Sequence, residues 1–552
     1  MRALTAPLYE LSEFEEIRKL LKKPGKYAAL TGCVESQKLH MAYGLSEGLR
    51  CRLIVTFSDQ RMKELQEDYR FYDRNTTCFP ARDVIFYQAD IHGNQLTKER
   101  IRCFRRMMEG RPFTVVTTFG SLLAPQIPLS VFRDNVITVN CNGSLDEKRM
   151  AEELVKLGYE NVYQVEAPGQ FSIRGGIIDI FDLTEENPYR IELWGDDVES
   201  IRSFDVQSQR SIEKLSSIMI YPACELILTE EQLKKGMERI EKESKKFSEK
   251  LRKEFKTEEA HRVEEQMNTL KEEVFAYKSL ANLDGYVRYF YEDTVSFLNC
   301  LDVENSIVFL DEPARIREHA SAVELEFRES MSHRLEKGYI LPGQADFLYS
   351  VAEVTARMSA FRLASLAALD LKGGLLKPDW KADISAKSIS SYNNSFEALV
   401  SDLQRYKKNG YRVLLLSGSR TRAKRLASDL SEDGLTSFYT EDPDREIKPG
   451  EIMTFYGRVF RGFEYPLLKF AVISESDIFG AEKKKKKKKK QYEGRKINDF
   501  SELSVGDYVV HENHGLGIYQ GIEKVEVEKV VKDYIKISYR DGGILYVLAT
   551  GL

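Results

Sequence analysis

The chain has 552 residues, 82 basic and 87 acidic, for a formal net charge of -5. At ~100–200 residues per domain this length implies about three to five domains, and the near-even charge balance excludes a protein that coats nucleic acid along its whole surface, so any such contact has to be local. Seven cysteines, at positions 33, 51, 78, 103, 141, 224 and 300, form no C-x-x-C pair and are too sparse for a secreted disulfide scaffold, which excludes a cysteine-based metal site and implies reduced thiols in a cytoplasm.

The N-terminus, MRALTAPLYELSEFEEIRKLL, carries acidic residues where a signal peptide needs an apolar core. No stretch approaches the ~20 apolar residues of a membrane span, so a soluble protein with no membrane partner is expected. Residues 27–38, YAALTGCVESQK, place an apolar run before Gly32 and a lysine six positions later, the skeleton of the phosphate loop G-x-x-x-x-G-K-[ST]. Lys38 is kept. Gln37 stands where a second glycine lets the backbone approach phosphates, and Leu39 stands where a hydroxyl holds magnesium. The loop is therefore degenerate, and it reads either as a structural relic or as an ATPase of unusual chemistry. Residues 307–313, IVFLDEP, form an apolar strand ending in Asp-Glu, like the acidic end of a strand that faces such a loop.

Between Phe171 and Trp194 two strands are expected, FSIRGGIIDIF and YRIELW, separated by Glu185-Glu186-Asn187-Pro188. In the second, Tyr189, Ile191 and Leu193 would face inward, leaving Arg190, Glu192 and Trp194 on the outer face, with Arg174 of the preceding strand in reach of it. Arginine and tryptophan on a rigid sheet are typical binding anchors, although the same residues also occur as an ordinary surface cation-aromatic cluster. From Thr229 to about Leu280 the spacing of Leu233, Met237, Ile240, Phe247, Leu251 and Phe255 predicts one long amphipathic, solvated helix opened by the capping box Thr229-Glu230-Glu231-Gln232. Residues 390–480 read as an α/β layer, with the turn Ser417-Gly418-Ser419-Arg420 either binding an anion or serving as a plain strand-to-helix turn.

Lys483 to Lys490 are eight consecutive lysines, an extended tether or a salt-sensitive contact with DNA phosphates. The last segment, from Val505, alternates β-branched and aromatic residues between Gly506, Gly515, Gly517 and Gly521, which predicts a small β-barrel. Ile535, Ile537 and Tyr539 share one face of a half-buried strand, and Asp541-Gly542 supplies a tight hairpin turn.

The sequence GDYVVHENHGLGIYQGIE, followed by DYIKISY and LYV, resembles the RNA-polymerase-interacting, CarD-like domain of the bacterial transcription-repair coupling factors (Mfd). The runs FPARDVIFYQADIHGNQLTKERI, VVTTFGSLLAPQIP and LGYENVYQVEAPGQFSIRGGIIDIFDLTEENPYRIELWGDDVESIRSFDVQSQRS resemble the N-terminal module of that family, itself similar to the damage-recognition subunit UvrB. The phosphate loop is intact in UvrB and degenerate in the coupling factors, as it is here. The resemblance implies an α/β multidomain protein: a degenerate P-loop NTPase-like, UvrB-like domain at 1–130 and 213–345 and a UvrA-binding β-rich domain at 131–212. A further α/β domain at 346–480, a lysine-rich linker at 481–498 and a CarD-like SH3/Tudor-type β-barrel at 499–552 complete it.

It further implies that Arg174, Arg190 and Trp194 bind UvrA, and that the barrel binds the β subunit of RNA polymerase by strand addition. Ile522 and Val525 are the candidate apolar contacts of that barrel, on an edge strand. Full-length coupling factors continue into an ATP-driven DNA translocase that uses ATP and magnesium and pushes on double-stranded DNA upstream of a stalled polymerase. That motor is absent from this sequence, and Leu548 replaces the proline usual after LYV. The expectation is a scaffold for transcription-coupled nucleotide excision repair with no catalytic residue, no cofactor and no ATPase activity. The alternatives are a UvrB-like ATP-dependent DNA-damage-binding subunit, which needs a working loop at Gly32, Gln37, Lys38 and Leu39, and a CarD-like transcription regulator acting through the barrel alone.

Overall fold

Strands that are apolar along their whole length can be buried only on both faces, which parallel sheets flanked by helices provide. The runs Tyr27–Thr31, Cys51–Thr56, Phe113–Thr118, Ser306–Asp311 and Arg362–Leu366 are of this kind, and in the computed structural model they lie in one seven-stranded sheet. Its order is Trp380–Asp383, Tyr27–Thr31, Arg362–Leu366, Ser306–Asp311, Cys51–Thr56, Phe113–Thr118, Thr76–Phe79, and every pairing is parallel. The structure describes residues 1–81, 94–272, 274, 283–291, 294–371, 373–480, 505–511, 515–527, 530–538 and 544–548.

The chain divides into two units: residues 1–81, 102–135 and 226–482 in one, and residues 82–101, 136–225 and 483–552 in the other. The first unit contains the seven-stranded sheet and a second, six-stranded sheet. In the latter Phe470–Ser474, Arg412–Ser417, Ile452–Tyr456 and Ser437–Tyr439 run parallel, and Phe463–Tyr465 and Lys387–Ser388 pair antiparallel at one edge. One continuous apolar cluster joins the two layers, running from Leu30, Leu39 and Met41 to Leu414, Phe470 and Val472.

The expected break at 345 is corrected by this arrangement. Arg362–Leu366 sits between Tyr27–Thr31 and Ser306–Asp311, and Trp380–Asp383 adds the edge, so the first α/β domain continues to about Asp383. Apolar periodicity marks a buried strand without naming the sheet that holds it.

The single long helix expected over 229–280 is also corrected. Helix Glu230–Lys253 ends at Phe255, which has φ of 60° and is 93% exposed, and a second helix, Thr257–Lys271, folds back along the first. Ion pairs Arg252–Glu264 and Lys271–Glu241, both at 2.9 Å, tie the two arms together. Phe255 therefore belongs to the turn and not to the apolar stripe, whereas the capping box at Thr229 and Gln232 forms as expected.

In the second unit, residues 160–215 form a six-stranded sheet in the order Ser211–Leu215, Asp197–Phe204, Tyr189–Trp194, Ile177–Ile180, Gln170–Ile173, Glu160–Asn161. The single strand expected at FSIRGGIIDIF is two, because Gly175 and Gly176 have φ of 56° and 81° and make a two-residue hairpin whose flanks, Arg174 and Ile177, exchange backbone hydrogen bonds. Ser217–Ile220 pairs with Ile137–Asn140, which carries this β-rich domain past the expected boundary at 212.

The C-terminal segment is a four-stranded antiparallel meander, Tyr508–His511, Gly515–Val527, Val530–Ser538 and Ile544–Leu548. The described strands show no pairing of first with last, so barrel closure remains an expectation from sequence. Ile537 is buried, as the alternation requires, while the Asp541-Gly542 turn, Tyr539 and the lysine-rich linker lie outside the described residues.

Candidate functional site

The chain passes from strand Tyr27–Thr31 through Gly32 into helix Glu35–Leu45, the geometry a phosphate loop requires. Gly32 has φ of 66°, and a Cβ there would lie 2.7 Å from Asp383 Oδ1, so only glycine fits. Three of the loop's N–H groups are already spent. Gly32 N donates to Ala368 O at 3.3 Å, Cys33 N to Ala367 O at 3.1 Å, and Val34 N to Gln37 Oε1 at 3.2 Å.

Lys38 is 4% exposed, with Nζ 2.9 Å from Asp311 Oδ1 and 2.6 Å from Glu312 Oε1. Asp311, at the end of strand Ser306–Asp311, also accepts from Arg61 Nε at 3.1 Å and Thr56 Oγ1 at 3.0 Å. Burial pushes the Asp311 carboxyl up, but Lys38 and Arg61 more than offset this and hold it below the usual carboxylate range. Burial likewise works against the Lys38 ammonium, and Asp311 and Glu312 reverse that and hold it above the ordinary lysine value. With Glu35 3.0 Å and Glu64 3.4 Å from Arg61, two cations face four carboxylates. A triphosphate needs the opposite sign of field and free N–H donors, so these residues do not fit a nucleotide.

The two residues that depart from the loop pattern have other work. Gln37 Nε2 donates to Tyr465 Oη at 2.9 Å, and Leu39 is core at 1% exposure. Tyr465 Oη lies 2.9 Å from His40 Nδ1, and His40 Nε2 lies 2.8 Å from Leu4 O. Burial pushes His40 down to about 4, so the ring is neutral, taking the tyrosine proton at Nδ1 and donating from Nε2. The helix that would cradle phosphates is therefore docked on the second α/β layer. Ser36 Oγ donates to Asp68 Oδ2 at 2.6 Å and accepts from Arg461 N at 3.0 Å, and Phe460 N donates to Asp68 Oδ1 at 2.7 Å.

Burial raises Asp68 to about 6 despite these donors, so the native state holds its proton more tightly than the unfolded chain does. The stability this group supplies is complete below about pH 4 and is lost as pH rises through about 6. Between pH 5 and pH 7.5 Asp68→Asn is expected to gain about 1 kcal/mol relative to the parent, read from urea midpoints at the two pH values.

The turn Ser417-Gly418-Ser419-Arg420 holds its anion internally, since Gly418 N donates to the Glu475 carboxylate and Arg422 pairs with Glu475 at 2.9 Å.

In the β-rich domain Arg174 and Arg190 converge on one carboxylate. Asp179, 1% exposed, accepts from Arg190 Nε at 2.6 Å, Arg190 Nη2 at 2.8 Å and Arg174 Nη2 at 3.0 Å. Arg190 also stacks on Phe204 at 4.3 Å, and its hydrogen bonds to Asp179 raise its pKa further. Arg174 sits in the hairpin turn rather than in a strand, 5.7 Å from the Tyr163 ring. Trp194 shares the Arg190 side of strand Tyr189–Trp194, about 13 Å further along, and is 80% exposed. Sequence reasoning missed Asp179, although an acid inside the apolar run IIDI signals a buried partner for a cation.

In the C-terminal meander Ile522 opposes Ile535 and Val525 opposes Lys532, on a ladder unbroken from Gly521 to Val527. The only register shift lies between Tyr519 and Gly521, before both residues, so positions 522 and 525 belong to opposite faces. At its start Gly515–Val527 is an inner strand of the sheet. Tyr508–His511 pairs only with Gly515–Ile518, however, and among the described residues positions 520–527 have no strand on that side.

Two family models match the chain: the UvrB interaction domain over residues 137–226 and the CarD-like/TRCF RID domain over residues 503–550. The transcription-repair-coupling factor of Bacillus subtilis (strain 168) is 33% identical over 477 residues, 86% of this chain and 40% of the relative. The transcription-repair-coupling factor of Staphylococcus aureus (strain MRSA252) is 27% identical over 552 residues, 99% of this chain and 46% of the relative. Over 86–99% of its own length the chain is similar to transcription-repair-coupling factors. It spans less than half the length of the coupling factors it matches. The β-rich sheet with Asp179 and Trp194 lies inside the first matched domain, and the meander with the partly uncovered strand lies inside the second.

Proposed function

We propose that this chain is a binding scaffold of transcription-coupled nucleotide excision repair, engaging UvrA through the sheet that carries Trp194 and the β subunit of RNA polymerase through residues 503–550. The observation that carries this reading is the presence of a UvrB interaction domain and a CarD-like/TRCF RID domain on one chain. ATP hydrolysis is not part of the proposal, because Lys38 is committed to Asp311 and Glu312 and the N–H groups of Gly32, Cys33 and Val34 to carbonyl and amide oxygens. Double-stranded DNA upstream of a stalled polymerase would be reached through other parts of the full-length factor. The test is retention of UvrA on immobilised polymerase β subunit: retention that depends on this chain supports the bridge, and failure to bind either protein removes it.

The uncovered side of residues 520–527 supports strand addition, in which backbone hydrogen bonds give affinity and alternate side chains give selectivity. Since positions 522 and 525 face opposite ways, Ile522→Arg and Val525→Arg are expected to differ. One abolishes binding to the β subunit with the far-ultraviolet spectrum intact, and the other unfolds the domain. Full binding by both folded variants would dissociate these residues from the contact.

A further inference from the structure

Beside the docked loop, two guanidinium groups from distant parts of the chain meet at one oxygen. Arg74, in the turn after helix Asp59–Tyr69, donates from Nη2 to Tyr456 Oη at 3.2 Å, and Arg420, at the start of helix Arg420–Glu432, donates from Nη2 to the same atom at 3.1 Å. Arg420 also lies over the Tyr456 ring at 4.3 Å. Like charges repel at this range, and one carboxylate compensates them: Glu441, 3.0 Å from Arg420 Nε. Arg74 pairs with no carboxylate among the described residues.

The next loop adds two more cations. Arg458 and Arg461 are exposed, pair with no carboxylate among the described residues, and flank Phe460, which is 61% exposed. This loop is rigidly seated. Gly457 N donates to Ser417 O at 2.9 Å, Ser474 Oγ to Val459 O at 2.8 Å and Ser476 Oγ to Phe460 O at 3.0 Å, with Phe460 N and Arg461 N held by Asp68 and Ser36. A Cβ at Gly457 would fall 2.2 Å from the Phe71 ring, so the close approach depends on glycine. The four arginines thus lie at the C-terminal ends of the parallel strands Arg412–Ser417 and Ile452–Tyr456, where open α/β sheets take their ligands.

We infer that Arg74, Arg420, Arg458 and Arg461, with Phe460, form a binding surface for single-stranded nucleic acid. Three of these guanidinium groups, all but Arg420, pair with no carboxylate among the described residues, an excess that calls for a row of phosphates, and the four come from three separate segments rather than one enclosed pocket, which suits a backbone and not a lone anion. An exposed phenyl ring set between them offers a base a stacking partner, and bases present their faces in single strands.

The test uses the full chain with Lys483 to Lys490 replaced by glycine and serine, so that the lysine run does not mask the surface, and a fluorescein-labelled 20-nucleotide single-stranded DNA followed by anisotropy across a salt series. Replacing the four arginines together by glutamine should lower the slope of log K against log salt by about 3, at ~0.7 per lost phosphate contact. Phe460→Ala should weaken binding roughly tenfold with the slope unchanged. If the fourfold variant fails to fold, Arg458→Gln and Arg461→Gln, whose side chains are exposed, should each lower the slope by ~0.7. Unchanged affinity and slope in folded variants overturn the inference. Equal competition by polyglutamate assigns the surface to acidic proteins, and equal loss of duplex binding removes the single-strand assignment; either result also overturns it.

Discussion

Replacing Lys38 by methionine is expected to destabilise the chain by about 3 kcal/mol while leaving its response to nucleotide unchanged. In a working phosphate loop this lysine contacts the β- and γ-phosphates, and its loss shows in hydrolysis with little effect on folding. Here the ammonium is 4% exposed and stands between Asp311 and Glu312. Removing it strands a carboxylate that is 3% exposed and that only Arg61 and Thr56 then attend. Glu312 is less deeply buried and regains water, so Glu312→Gln should cost less than half as much. Asp311 lies below its ordinary value in the native state, so its contribution is present above the unfolded carboxyl pKa near 4 and is lost as pH falls. This is the opposite sign to Asp68, and the Lys38→Met deficit should shrink toward pH 3. Urea unfolding at pH 7 and pH 3, with phosphate release measured in parallel with and without DNA, checks both halves. DNA-stimulated release by the parent that Lys38→Ala abolishes would reverse the assignment.

The loop itself shows how far the sequence could be read. Gly32, Lys38 and the Asp-Glu at the end of an apolar strand were legible because each is a local pattern, and the structure places all of them at one point. The reason Gln37 and Leu39 depart from the pattern was not legible. Gln37 meets Tyr465, and Leu39 joins a core that reaches Val472, partners hundreds of residues away that no local period can announce. The same limit governs the helix that proved to be a hairpin. Its apolar spacing runs on through Phe255, and only the backbone reversal there, together with the packing of Thr257–Lys271 against its neighbour, ends the stripe. In the C-terminal meander the alternation of Ile535 and Ile537 was visible, whereas the inner position at the start of Gly515–Val527 depends on which strands flank it.

Trp194→Ala is expected to weaken UvrA binding by about 2 kcal/mol or more, roughly thirtyfold, without altering the unfolding midpoint of the chain. Arg190→Ala is expected to do the reverse in part, lowering the midpoint first. The difference follows from what each side chain touches. Trp194 is 80% exposed at the end of strand Tyr189–Trp194, where its ring supports nothing in the sheet and is open to a partner. Arg190 neutralises the buried Asp179 through two hydrogen bonds and packs on Phe204, so its removal leaves the buried carboxylate to the half-exposed Arg174 alone. Arg174 falls between the two: it shares Asp179 but is 38% exposed, which leaves N–H groups for a partner. The three residues of the proposed UvrA surface thus separate into an anchor, a positioning residue and one that does both. A titration of UvrA against the three alanine variants, alongside their urea midpoints, reads the two effects independently. Equal affinity of a folded Trp194→Ala chain and the parent would take the anchor out of the interface, and with it the assignment of this face to UvrA.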